Sequence, residues 1–266
     1  MQKLIAPLLL LCSLPLFAQR QFTIVPEATM ATPVPQLLFA GSGSSSGANG
    51  TFFHSDISVL NYRAADQQVA LTWIPNGGTA GPPTMMTISA SSGVISQDFV
   101  ASNLHQTGVG SLLITGVDAN GNLDPNARLY ATERVWTPEP GTTGTTSQTF
   151  PAIATSDINL TRATILGQRL DTQYRTNVGI VNLDNVARTF NILQTTDDPN
   201  NPVNTSQVTV AAMSMVQVPL PMLASSALQI AVQPLIAINP TLWMAYGSSV
   251  DNVTGDSWSS LGFQAQ

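Results

Sequence analysis

Phe53-His54-Ser55-Asp56-Ile57-Ser58-Val59-Leu60-Asn61 and Tyr174-Arg175-Thr176-Asn177-Val178-Gly179-Ile180-Val181-Asn182 read as two versions of one segment, 121 residues apart. Each passes from an aromatic through a polar pair and an Asp or Asn into alternating apolar residues, and each closes on an asparagine. The same offset pairs Val69 and Leu71 with Phe190 and Ile192. Thr87-Ile88-Ser89-Ala90 answers Thr209-Val210-Ala211-Ala212 at an offset of 122, and Gly110 to Thr115 answers Ala227 to Val232. Tyr130-Ala131-Thr132 then faces Tyr246-Gly247-Ser248, and Phe150-Pro151-Ala152 faces Phe263-Gln264-Ala265 at 113. An offset that drifts only across loop-like stretches marks a duplication in which strands stay fixed while connections vary.

Both copies carry β patterning. Gln68 to Trp73 and Asp56 to Leu60 alternate with period two and are rich in Val, Ile, Thr and aromatics. Turn residues interrupt at Ile74 to Gly78, Asp118 to Asn122 and Asp197 to Asn201, and Asn120-Gly121 suits the positive φ of a tight hairpin. The expected fold is all-β: two tandem antiparallel sandwiches of immunoglobulin-like type, with a closed barrel as the alternative. The first domain is expected over residues 19–155, with a Gly/Ser-rich loop at 41–50, and the second over 156–266.

Ahead of them, Met1 to Lys3 give a positive start, Leu4 to Leu14 an apolar stretch and Pro15 to Ala18 a small-residue ending. This is the order of a secretory signal peptide cleaved after Ala18. Cleavage removes Lys3 and Cys12, the only lysine and cysteine, and leaves eight Arg against fifteen Asp and Glu, a formal charge of −7. Disulfide and thiolate chemistry are thereby excluded, and so is the basic footprint that nucleic acid requires. With no transmembrane segment after cleavage, the expected location is secreted, at the cell surface or in the periplasm.

Arg175-Thr176-Asn177, Val181-Asn182 and Val250-Asp251-Asn252-Val253-Thr254-Gly255-Asp256 resemble a duplicated β-sandwich module of secreted bacterial proteins. The first copy departs from it, with His54-Ser55-Asp56 and no Asp-Asn-x-Thr-Gly-Asp. The resemblance implies a fold and a compartment; it implies no defined activity.

Motifs that bear chemistry have plain structural readings. Gly43-Ser44-Ser45-Ser46-Gly47 matches a nucleophile elbow as a string, but no strand-to-helix turn is in prospect and the tract reads as a linker. His54 and Asp56 share a strand face, yet their counterparts Arg175 and Asn177 form no metal pair, and His54 reads as a surface residue. Asp118 to Asp124 and Asp251 to Asp256 are rich in oxygen ligands; the first lacks the spacing of an EF-hand and reads as a hairpin turn, the second reads as Asx turns, with a weak calcium site as the alternative for each. No catalytic residue, metal ligand or cofactor site is assigned. Asn61 and Asn182 recur in both copies, which points to strand closure by side chain to backbone bonds.

What remains is a contact surface: Trp136 and Trp258, which have no counterpart in the other copy, with Asp251, Asn252 and Asp256 in the adjoining loop. The expected function is a non-catalytic exported protein engaged in surface interaction, adhesion or structural support. The alternative is a carbohydrate-binding module acting through exposed aromatics. A neutral polysaccharide or a protein is the expected partner.

Overall fold

A computed structural model describes residues 33–264 apart from 140, 159, 196–203, 223–226 and 238–241. The signal-peptide stretch and the Asp197 to Asn201 turn lie outside the described residues. The first half runs β1 (Gln36–Ser46), β2 (Phe52–Asn61), β3 (Gln67–Pro75), β4 (Thr84–Ile88), β5 (Ser92–Ser96), the short α1 (Phe99–Ser102), β6 (Gly108–Val117), β7 (Leu129–Pro138), β8 (Thr145–Gln148) and β9 (Ile153–Ala154). The second half runs β10 (Ala163–Arg169), β11 (Tyr174–Asn182), β12 (Arg188–Thr195), β13 (Asn204–Val210), β14 (Ser214–Pro219), β15 (Ala227–Pro234), β16 (Trp243–Asp251) and β17 (Ser257–Leu261). All the strand ladders are antiparallel. Among the described residues no helix is long and apolar enough to cross a membrane.

The two halves pair their strands in one order. In the second half the sheets are β10-β15-β12-β13 and β14-β11-β16-β17; in the first, β1-β6-β3-β4 and β5-β2-β7-β8 repeat that order strand for strand. The first half's sheets are joined because β1 is long. It pairs with β6 from Gln36 to Ser44 and with β2 from Ser44 to Ser46. Even the bulge is duplicated: the register slips between Phe39 and Ser42 in β1 and between Ile165 and Gln168 in β10, positions 126 apart. Val69, Leu71, Phe190 and Ile192, matched in the sequence, are all buried.

Strand pairing also corrects three alignments. Asn61 faces Leu129 and Asn182 faces Trp243, so β7 and β16 are related by 114 residues, which makes Thr132 the counterpart of Tyr246 and leaves Tyr130 opposite Leu60. Ile114 corresponds to Val232, an offset of 118, one residue from the sequence match. Ile153, beside Leu38, corresponds to Phe263, beside Thr164, an offset of 110 rather than 113. Identical tyrosines and phenylalanines drew the sequence match; backbone pairing decides otherwise.

The Gly/Ser tract is likewise not a loop through Ser46. It is the second part of β1, with Gly41 to Ser44 buried. Small residues are needed there because bulk would collide: a Cβ on Gly41 would stand 2.9 Å from Phe150 Cζ and 3.1 Å from Tyr246 Cζ.

The closing asparagines do what their recurrence implied. Asn61 Nδ2 donates to the carbonyls of Ala65 at 2.8 Å and of Ile88 and Ser89 at 3.2 Å, while its Oδ1 accepts from Arg63 N at 2.9 Å. Asn182 Nδ2 donates to Val186 at 2.8 Å, Val210 at 3.2 Å and Ala211 at 2.8 Å, and Oδ1 accepts from Asp184 N at 3.1 Å. Both side chains are buried, so each satisfies backbone groups that water does not reach. Asn182→Ala and Asn61→Ala should each lower the unfolding free energy by about 2–4 kcal/mol, since several buried polar groups lose their partner at once. Urea denaturation measures this; a loss under about 0.5 kcal/mol, typical of surface changes, would contradict the role.

Candidate functional site

The sequence-derived contact residues do not form one surface. Trp136 on β7 is half-buried and stacks on His54 with centroids 4.7 Å apart, while Phe52 lies 4.8 Å beyond His54 and the Arg134 guanidinium is 5.8 Å from the Trp136 ring. Trp258 on β17 packs edge-on against Tyr174 at 5.6 Å and donates from Nε1 to Gly167 O at 2.7 Å. Between them runs β8, whose Ser147 pairs with Trp136 and whose Thr146 bonds Gly255 O.

The loop joining β16 and β17 is folded on itself. Asp251 is buried and its Oδ1 accepts from Val253 N at 2.7 Å and Thr254 N at 3.3 Å. Those backbone bonds, led by Val253, hold its carboxyl below the usual carboxylate range. Asn252 accepts from Arg175 Nη1 at 2.8 Å, and Asp256 is exposed, accepting from Ser257 N. The other oxygen-rich loop is built alike: Asp118 Oδ1 accepts from Asn120 N and Asn122 N, both at 2.9 Å. Its last carboxylate, Asp124, is lowered first by the Asn126 backbone bond and further by Arg63, whose Nη1 lies 2.6 Å away. Among the described residues no group of three or more His, Cys, Asp or Glu is placed to hold a metal ion.

His54 and Asp56 do share a face, and what joins them is Asp98, which the sequence did not single out. His54 Nδ1 lies 2.9 Å from Asp98 Oδ2, and Asp98 N donates to Asp56 Oδ1 at 3.0 Å. Asp98 adopts φ 43°, a left-handed conformation uncommon outside glycine, at the entry to α1. The cluster therefore pins the end of β5 onto β2.

A concavity lies elsewhere, between the halves. The turn after β3 adds to the edge of β14, with Gly77 N donating to Met215 O at 2.9 Å and Ala80 N to Met213 O at 2.8 Å. On the other side Ser248 bonds Gln148 and Ser259 bonds Thr149 O. Tyr246 stands in the middle: buried, edge-on to Phe150 at 5.1 Å, its hydroxyl donating to Gln217 Oε1 at 2.7 Å. Its ring lies over Gly179 so closely that no Cβ fits, and burial, then the nearby Glu133, raises its hydroxyl's pKa. Beside Tyr246 a cleft of about 250 Å³ opens between β1 and the outer face of β11 and β16, lined by Phe53, Phe150, Arg175, Asn177, Gln217 and Ser248 among others. Its partners are far apart in the chain, so periodicity carried no sign of it.

Glu133 is the second feature missed. It occupies an inward position of β7 in the series Leu129, Ala131, Glu133, Val135, all buried. Neither carboxyl oxygen has a hydrogen-bond partner among the described residues. Desolvation pushes its pKa up to about 8, and the adjacent Ser42 and Ser55 hydroxyls offset only part of that. A charged residue at an inward phase of an alternating strand was a legible signal.

No family model matches the chain, and no curated protein matches it. Among solved structures, that of Thermotoga maritima 1070 is similar at 11% identity over 40% of this chain and 96% of that one, with a TM-score of 0.33. The apo form of Pleurotus ostreatus lectin is similar at 11% identity over 88% of this chain and 85% of that one, with a TM-score of 0.18. Likenesses this weak carry neither fold nor function across.

The Glu133 carboxyl gives a pH signature. Its pKa is about 8 in the fold against an ordinary 4.5, so folding favours the protonated form. The associated destabilisation is absent below pH 4.5, grows as pH rises and levels off above pH 8. Glu133→Gln, which carries no charge, should therefore gain on the native protein by up to about 5 kcal/mol between pH 4.5 and 9. Urea midpoints measured across that range check it; parallel curves for the two proteins would refute it.

Proposed function

We propose that the chain is an exported, non-catalytic pair of immunoglobulin-like β-sandwiches acting in surface interaction or structural support. The observation that carries this reading is the strand-for-strand repeat, welded into one unit by the β3 turn on β14 and by Tyr246 against Phe150. Two sandwiches fixed against each other present loops and outer faces in set positions, an arrangement suited to holding partners. The resemblance of the second copy to a module of secreted bacterial proteins and the signal-like residues 1–18 support export.

Carbohydrate binding remains the second reading, favoured by the row of rings Phe52, His54 and Trp136 on the outer face of β2 and β7. Trp258, bonded to Gly167 and packed on Tyr174, supports it less.

Expression in a secreting bacterial host should yield extracellular or periplasmic protein beginning at Gln19 by N-terminal sequencing; intracellular full-length chain would contradict export. Retention on insoluble polysaccharide that falls about tenfold in Trp136→Ala and is unchanged in Trp258→Ala would favour the sugar platform, stacking being worth roughly 1–2 kcal/mol. Equal retention by both variants and the native protein would exclude these tryptophans.

A further inference from the structure

Three arginines of the protein are neutralised locally. Arg63 meets Asp124, Arg169 meets Asp171 and Arg188 meets Asp184. Arg175 is different. It lies on the outer face of β11 in the wall of the cleft, two residues from Asn177 and opposite Val250, and among the described residues no carboxylate comes within ion-pair distance of it. Its Nη1 donates to the neutral Asn252 Oδ1. Burial lowers the pKa of the guanidinium and the field of Asp251 opposes this, so the cation is partly stripped of water without a paired anion.

Two neighbouring amides, Gln217 and Gln148, also line the cleft. Gln217 Oε1 is occupied by the Tyr246 hydroxyl and Gln148 Oε1 by the Ser248 hydroxyl, which leaves both Nε2 groups to donate. A guanidinium and two amide donors in one cleft with apolar rings select a ligand that offers acceptors and a hydrophobic or ring-shaped body. A single cation suits one negative charge, and the planar guanidinium fork matches a carboxylate. The volume of about 250 Å³ falls below that of sites for drug-sized ligands.

We propose that the cleft binds a small carboxylate-bearing molecule of sugar-acid size, with its carboxylate on Arg175, its other acceptors on Gln217 and Gln148, and its body against Phe53 and Phe150. This rests on the binding role proposed above and names the ligand class.

The test is isothermal titration calorimetry of the exported chain with sodium D-glucuronate, sodium benzoate and D-glucose. At least one carboxylate should bind, with glucose at least tenfold weaker. Arg175→Met should lose about tenfold or more of that affinity, as expected for a charge-assisted pair. Arg175→Lys, which keeps the charge without the fork, should fall between, and it serves if Arg175→Met fails to fold by circular dichroism. Absence of binding by both carboxylates at 20 mM probe (about the weakest affinity of interest), equal binding of glucose, or affinity unchanged in the arginine variants would overturn the site. Conversion of the bound ligand, read by NMR of the recovered probe, would overturn the non-catalytic reading and leave the carboxylate site standing.

Discussion

A buried asparagine at the end of one core strand is the contact on which each half is organised. β11 and β13 belong to different sheets, and β2 and β4 to the corresponding arms of the first half's single joined sheet, so the chain must cross between them twice at the same end. Those crossings leave backbone carbonyls without ladder partners. A single amide, with two donors and one acceptor, gathers three carbonyls and one backbone N–H there. Because a slip of one residue would turn the asparagine to the outer face, the contact also fixes register. Around it charge placement was free to change: Arg63 and Gln67 in the first half stand where Asp184 and Arg188 stand in the second, each pair bonded across the same loop.

The second constraint is where the halves meet. Tyr246 fits only because Gly41 lies on one side and Gly179 beneath it. Packing so close fixes the spacing of β1 from β11, and the cleft is what remains beside the ring. The same glycines that bring the halves together thus set the cavity's walls, and Arg175 stands in one of them with no carboxylate among the described residues at ion-pair distance.

Much of the fold was legible in the sequence, and for identifiable reasons. The strand alternation and the asparagine recur in both halves because they face the core and its end. The Gly/Ser tract misled because its composition is that of a linker, while its cause is the approach of two aromatic rings from segments over 100 residues away. The tyrosine match across β7 and β16 was two residues out because like residues were aligned where backbone pairing was not visible. The Asx turn at Asp251 was legible because it is local, whereas the loop at Asp118 reads in sequence as a hairpin turn through Asn120-Gly121 and proves to be held by the Asp118 carboxylate as well. The cleft was not, since it is assembled from both halves.

The repeat has a consequence for how such a molecule diversifies. The outer face of β11 and β16, with Arg175, Asn177 and Tyr246, is covered by the other half, while its counterpart on β2 and β7 carries His54, Asp56, Thr132, Arg134 and Trp136. The repeat of strand order sets these two faces in equivalent positions, and burial makes them unequal. One packs against an internal neighbour through Gly179 and Tyr246; the other, held at His54 and Asp56 by Asp98, carries ionisable and aromatic groups. A chain that occupies one copy of a surface with itself releases the other copy to acquire a different specificity without risk to the joint.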